Sequence, residues 1–171
     1  MGCIHIYCGD GKGKTSAAVG QAVRAAGRGK KIAVARFLKT DDSGEVEGLK
    51  AIPQITVLPC ERVFGFVSAM DEQTRKEAAA YNLELFEKAV SLAETADMVV
   101  LDEIMAAITY GMVPEKRVEE FLKNRPKALE VVMTGRDPSK LLLSMADYVS
   151  EVKKVKHPYD RGIPARKGIE Y

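Results

Sequence analysis

Short, almost wholly apolar runs recur along the chain, spaced widely enough for helices to lie between them. Ile4–Cys8, Lys31–Phe37, Ile55–Leu58, Met98–Leu101 and Leu129–Met133 are such runs. Continuous rather than alternating apolarity predicts strands buried on both faces. Asp147–Val152 is a sixth, weaker candidate. Between these runs the period becomes that of a helix. Ser16–Arg28 is alanine-rich and is closed by Gly27 and Gly29, as helix ends commonly are. From Asp71 to about Ala96, Leu85, Ala89, Leu92 and Ala96 follow a helical repeat behind an N-cap aspartate. Pro114 opens a helix to about Lys123, and another helix follows Pro138. Thr40–Lys50 is polar and contains glycine, so a loop is expected there. Cys60–Met70 has no period and carries Phe64 and Phe66 around Gly65.

Strands alternating with helices predict an α/β protein, three layers deep around a mainly parallel sheet. Nothing divides residues 1–171, which form one domain ending in a basic, irregular segment, 153–171. The 14 glycines and 7 prolines are too few for a low-complexity chain. No apolar run is long enough to cross a bilayer, so no membrane partner is expected. With 26 basic and 24 acidic residues the net charge is only +2, which argues against a nucleic-acid binder. The charge is uneven: segment 153–171 has six Lys/Arg and two Asp/Glu, a net +4. A solvated tail and a local anion site fit that excess equally well. Cys3, Cys8 and Cys60 lack metal-ligand spacing, and the N-terminus has no signal-peptide pattern. A cytoplasmic protein with reduced thiols is expected.

In parallel sheets ligands gather beyond the carboxyl ends of the strands, and the unusual clusters fall there. Gly9-Asp10-Gly11-Lys12-Gly13-Lys14-Thr15 joins a strand to a helix. Such a loop turns its N–H groups toward phosphate, its lysine adds charge and its hydroxyl can bind Mg²⁺. The form is GxxxGKT, one residue shorter than the usual P-loop. Asp102 and Glu103 close a strand and are candidate metal or water-positioning carboxylates. Arg136, after the fifth strand, can neutralise charge on a leaving phosphate or pair with a carboxylate. Arg24 reaches phosphate or faces solvent. His5 reads as a core or edge histidine, and His157 lies in the basic tail. No general base is evident, and the nucleophile is expected to arrive already deprotonated.

These motifs occur in order with Arg-Ala-Ala-Gly-Arg-Gly-Lys (24–30), Phe-Leu-Lys (37–39), Asn-Arg-Pro (124–126), Thr-Gly-Arg (134–136), Val-Lys-His (155–157) and Gly-Ile-Glu-Tyr (168–171). Together they resemble the P-loop ATP:corrinoid adenosyltransferases over nearly the whole chain. The resemblance implies a P-loop NTPase-like fold. It also implies transfer of the 5′-deoxyadenosyl group of ATP to the cobalt(I) of a reduced corrinoid, with release of tripolyphosphate. Gly9, Asp10, Gly11, Lys12, Gly13, Lys14, Thr15 and Ser16 would hold the nucleotide, gripping the terminal phosphate. Thr15, Asp102 and Glu103 would hold Mg²⁺ or Mn²⁺. Lys14, Glu103 and Arg136 would serve the chemistry, with Arg24 on phosphate. Phe64 and Phe66 would pack against the corrinoid, or else belong to the core. A homodimer and a reduced flavoprotein electron donor are implied as well. Cys8, Ser16, Arg36 and Thr40 depart from the family pattern, which commonly has Thr, Thr, Gln and Gly there. The aromatic stretch ends in Val67, where some members carry Trp. An N-terminal arm that some members fold over the site is not expected here. Another P-loop phosphotransferase or ATPase, or a non-catalytic ATP-binding corrinoid carrier, would share the P-loop and remains an alternative reading.

Overall fold

The apolar runs pair into one sheet in the computed structural model, which describes residues 1–170. Tyr171, the last residue of the Gly-Ile-Glu-Tyr ending, lies outside the described residues. The strands are β1 (Ile4–Cys8), β2 (Ile32–Arg36), β3 (Ile55–Val57), β4 (Met98–Asp102), β5 (Glu130–Thr134) and β6 (Tyr148–Glu151). They stand in the order β3-β2-β4-β5-β1-β6. Every pair is parallel, so the sheet is wholly rather than mainly parallel. β5 lies between β1, which leads into the glycine loop, and β4, which ends in Asp102.

Six helices cover the sheet: α1 (Lys14–Ala26), α2 (Gly44–Lys50), α3 (Glu72–Leu92), α4 (Ile104–Thr109), α5 (Glu115–Asn124) and α6 (Lys140–Met145). Side chains alternate between faces along each strand, which gives two buried clusters. Ala18, Ala22 and Ala26 of α1 and Leu49 of α2 meet Ile32, Val34, Met98, Val100 and Val132 on one face. On the other, Phe86 of α3, Met105 of α4 and Phe121 of α5 meet Ile6, Val99, Leu101 and Met133. The alanine stripe recurs every fourth residue and lets α1 lie close over β4 and β5. Polar residues at the strand ends keep the parity of this face: Arg36 follows Val34, Asp102 follows Val100 and Thr134 follows Val132.

Two expectations need correction. Residues 44–50 form α2 rather than loop, burying Val46 and Leu49. Two apolar positions among glycines and charges carry too little period to show a helix, and burial against the sheet supplies what propensity does not. α4, which directly follows Glu103, was also not anticipated; it buries Ile104, Met105 and Ala107. Pro114 sits at the N-cap of α5 rather than within its first turn. The tail is irregular apart from a 3₁₀ turn at Pro158–Arg161.

Asp71 caps α3 as expected: its Oδ1 accepts the Thr74 N–H at 2.7 Å. That donor holds the carboxyl below its ordinary value of 3.8. A lowered carboxyl pKa contributes stability above the unfolded value and loses it as pH falls through the folded one. Asp71→Ala is expected to lower the urea midpoint at neutral pH, with the deficit narrowing below pH 3.8. An equal deficit at both pH values would show that the charged cap is not the cause.

Candidate functional site

Asp102 organises the carboxyl edge of the sheet. It is 2% exposed, and its carboxylate accepts from three elements. The Thr134 hydroxyl, at the end of β5, donates to Oδ1 at 2.7 Å. The Thr15 hydroxyl, in the first turn of α1, lies 3.0 and 3.2 Å from the two oxygens. Lys39, just beyond β2, places its ammonium 2.6 Å from Oδ2. The same ammonium donates to Thr15 Oγ1 at 3.0 Å and lies 3.8 Å from Glu45 of α2. Thr134 Oγ1 also accepts the Glu103 N–H at 2.8 Å. A buried charge is tolerated only when paired and hydrogen-bonded, and these contacts meet that condition.

The glycine loop lies beside this cluster. Gly9 has φ +106, and a Cβ there would fall 2.4 Å from the Val152 carbonyl. The chain leaving β6 therefore runs against the loop at a distance only glycine allows. Gly11 N–H donates to that carbonyl at 2.8 Å, and Asp10 accepts the Lys154 N–H at 2.9 Å. Asp10 is thus a tie between loop and tail. Lys14 is buried and donates to Gly11 O at 2.9 Å. Lys12 donates to Ile169 O at 2.5 Å and lies 3.3 Å from Glu170. The Arg166 guanidinium, its backbone N–H and Lys12 hold the Glu170 carboxyl down at about 2. Loop, tail and α2 enclose an open cavity of about 350 Å³ reaching Ser16, Lys39, Glu45 and Glu103. The tail's last described residues therefore line this cavity.

Three non-glycine residues have left-handed φ among those described: Leu38 at 55°, Glu103 at 61° and Asp137 at 49°. They follow β2, β4 and β5. Such strain costs about 1–3 kcal/mol per residue and clusters at functional sites. At Glu103 the chain turns sharply off the strand while the carboxylate stays near Lys39 and Lys14. Burial pushes its pKa up and the Asp102 charge adds to this, while Lys39, Lys14 and Arg136 pull it back. Arg136 lies exposed at this edge, close enough to bias both Glu103 and Asp10. Arg24 is not brought here. It sits exposed in the last turn of α1, about 15 Å from Lys14 at 1.5 Å per residue.

The two phenylalanines separate. Phe64 is half-buried, with its ring 5.7 Å from that of Tyr81 and the Arg62 guanidinium 4.9 Å over it. Phe66 is 86% exposed. It helps line a second cavity of about 350 Å³ with Leu38, Val67, Ala106 and Tyr110, and Lys39 and Glu103 line this cavity too. Those two residues are the wall shared with the glycine-loop cavity. Lys39 was missed as a site residue. Phe-Leu-Lys alone gave no reason to single it out, because its importance comes from the distance to Asp102, 63 residues on.

Several other side chains find partners or burial within the fold. His5 bonds Glu130 at 2.7 Å and stacks on Tyr148, a satisfied, buried histidine on an interior strand. His157 accepts the Tyr159 N–H at 3.2 Å and caps the 3₁₀ turn. The Cys8 and Cys60 thiols are pushed up by burial, as packing thiols are. Arg36, where the family commonly has Gln, is 1% exposed and pairs with Asp41. Asp41 also accepts the Cys60 N–H at 3.0 Å, so the pair ties the chain after β2 to the chain after β3.

A strand, a glycine-rich loop ending in Lys-Thr, a helix, and a carboxylate two strands away define a P-loop nucleotide-binding protein. Among solved structures the fold is similar to EssC (ATPases 2 and 3) from Geobacillus thermodenitrificans. The TM-score is 0.54 and the identity 13%, over 98% of this chain and 35% of that one; the likeness concerns the fold. The family model for ATP:corrinoid adenosyltransferase BtuR/CobO/CobP matches residues 1–171, and the chain belongs to that family. It is 38% identical to the corrinoid adenosyltransferase of Escherichia coli K12, covering 99% of this chain and 86% of the relative. It is 36% identical to corrinoid adenosyltransferase CobA of Salmonella typhimurium LT2, over 99% and 86%. It is 33% identical to that of Pseudomonas aeruginosa, over 99% and 84%.

Gly135 sets the approach of β5 to α4. Its φ is +139, and a Cβ would lie 2.5 Å from Met105 Cβ. Gly135→Ala is expected to cost at least about 1–3 kcal/mol in urea unfolding. Unchanged stability would show that the edge can relax.

Proposed function

We propose that this protein transfers the 5′-deoxyadenosyl group of ATP to the cobalt(I) of a reduced corrinoid and releases tripolyphosphate. Membership of the adenosyltransferase family supports the reaction class. The observation that carries the site assignment is the pair of cavities sharing Lys39 and Glu103 as a wall. Phosphate in the glycine-loop cavity and a corrinoid beside Phe66 would meet at that wall, where the 5′ carbon has to lie.

The electron pair of cobalt(I) attacks C5′, the C5′–O5′ bond breaks, and the oxygen leaves with its pair as part of tripolyphosphate. No proton has to be removed from the nucleophile, which fits a site whose histidines are engaged elsewhere. The work left to the protein is alignment and stabilisation of the departing charge. The loop N–H groups, Lys12 and Lys14 hold the phosphate chain, with the hydroxyls of Thr15 and Ser16 at its edge. Arg136 neutralises charge on the leaving group. Glu103 stands between the two cavities and orients the reacting ends. Phe66 presents its ring to the corrinoid, and Phe64, packed on Tyr81, supports that segment from the core side. Arg24 has no place in this scheme within one chain.

The donors fit Mg²⁺. Thr15 and Asp102 offer hard oxygens side by side, and a cationic group already rests against both. Among the described residues no three acidic, His or Cys groups form a metal cluster, as suits an ion that takes most of its ligands from phosphate and water. Thr15 and Asp102 would hold it, with Glu103 beside them, and when bound it would neutralise phosphate charge. A reduced flavoprotein as electron donor, a homodimer and a cytoplasmic setting belong to the same reading.

The test combines the protein, MgATP and a chemically reduced corrinoid, and follows the light-sensitive absorbance of a Co–C bond. Lys14→Ala is expected to lower kcat/KM for ATP by about 10² to 10³; an unchanged kcat/KM would contradict the assignment. Phe66→Ala is expected to slow reaction from cob(II)alamin under mild reductant more than reaction from pre-reduced cob(I)alamin. Equal losses would remove Phe66 from preparation of the corrinoid and leave it a packing role.

A further inference from the structure

We propose that Lys39 is a resident cation: it holds the metal position through its contacts with Asp102 and Thr15 and is driven out of it only when metal and nucleotide arrive together. The inference rests on the reading of Thr15 and Asp102 as metal ligands. The Lys39 ammonium lies 2.6 Å from Asp102 Oδ2 and 3.0 Å from Thr15 Oγ1. The single Thr15 proton is directed at the Asp102 carboxylate, so the hydroxyl's free lone pairs point to Lys39. These are the oxygens a divalent ion would use. Mg²⁺ needs them at about 2.0–2.1 Å, and an ammonium this close to both cannot stay beside it.

Charge decides when the exchange occurs. At rest Lys39 balances the buried Asp102 carboxylate, and Glu45 at 3.8 Å adds weak support. A divalent ion alone would expel Lys39 into a cavity that already holds Lys12 and Lys14. That exchange adds two positive charges to the site, where Glu170 is already paired with Lys12 and Arg166 and Glu45 and Glu103 are the lining carboxylates left to offset them. A polyphosphate brings the missing anions, and the flexible lysine stem already borders the cavity they would fill. Lys39 then moves from carboxylate to phosphate oxygen, and metal binding becomes coupled to nucleotide binding. In this scheme Lys39 prevents the metal from binding before its nucleotide.

Free Mn²⁺, counted by its EPR signal, measures metal affinity without turnover. In the absence of nucleotide the native protein is expected to bind Mn²⁺ weakly, Lys39→Met at least about tenfold more tightly, and Lys39→Arg as weakly as the native protein. Asp102→Asn in the Lys39→Met background should abolish the gain. Equal affinity in native and Lys39→Met proteins would overturn the proposal. If that equality came with Mn²⁺ binding in the presence of ATP that still fell with Asp102→Asn, Lys39 alone would be misassigned. A gain that survived Asp102→Asn would overturn the ligand reading together with the proposal. Should Lys39→Met be too unstable to titrate, its melting midpoint must rise more with added Mn²⁺ than that of the native protein, and a rise no larger overturns the proposal.

Discussion

A single buried carboxylate fixes the arrangement of this site. Asp102 continues the stripe of Met98 and Val100 on the α1 face of β4, and so its charge sits under α1. A charge there is stable only with donors from each neighbouring element. Thr15 brings the start of α1, Thr134 the end of β5 and Lys39 the chain beyond β2. β5 separates β4 from β1, and the close packing of the alanines of α1 brings Thr15 across that gap. Once these contacts form, the glycine loop, the Thr-Gly-Arg edge and the Phe-Leu-Lys turn have little freedom to move independently.

The site satisfies its cations internally. Lys14 bonds a loop carbonyl, Lys12 the tail and Lys39 the carboxylate. Each of these acceptors is an oxygen, the atom type a polyphosphate would present to the same cations. Left-handed backbone at Leu38, Glu103 and Asp137 shows where the strand ends are bent to reach this geometry. The tail adds the remaining wall through Glu170, itself held by Arg166. The same edge faces two ways. The glycine loop with Lys12 and Lys14 lines one cavity and Phe66 the other, and Lys39 and Glu103 belong to both.

Much of this was legible in the sequence because the signals were local. Apolar runs gave the six strands, Asp71 its cap and the glycines the loop. Asp102 and Glu103 close an apolar run, which alone says little, but a glycine loop in the same chain made them candidate carboxylates. What was not legible depended on distance in sequence. Lys39 gains its meaning from Asp102, and α2 and α4 from burial that their own residues do not announce. The opposite fates of Phe64 and Phe66, two residues apart, follow from Tyr81 on α3, which no motif predicted. Arg24 follows the P-loop closely in sequence, but one helix carries it about 15 Å from Lys14, so nearness along the chain is not nearness in space.

The proposed reaction requires the phosphate chain to be grasped at its far end and to leave whole. Phosphorus NMR of a single-turnover mixture with stoichiometric cobalt(I) corrinoid reads this directly. One tripolyphosphate per Co–C bond formed, with no ADP, is the predicted result. ADP with orthophosphate or a phosphorylated acceptor, in the absence of tripolyphosphate, would contradict it.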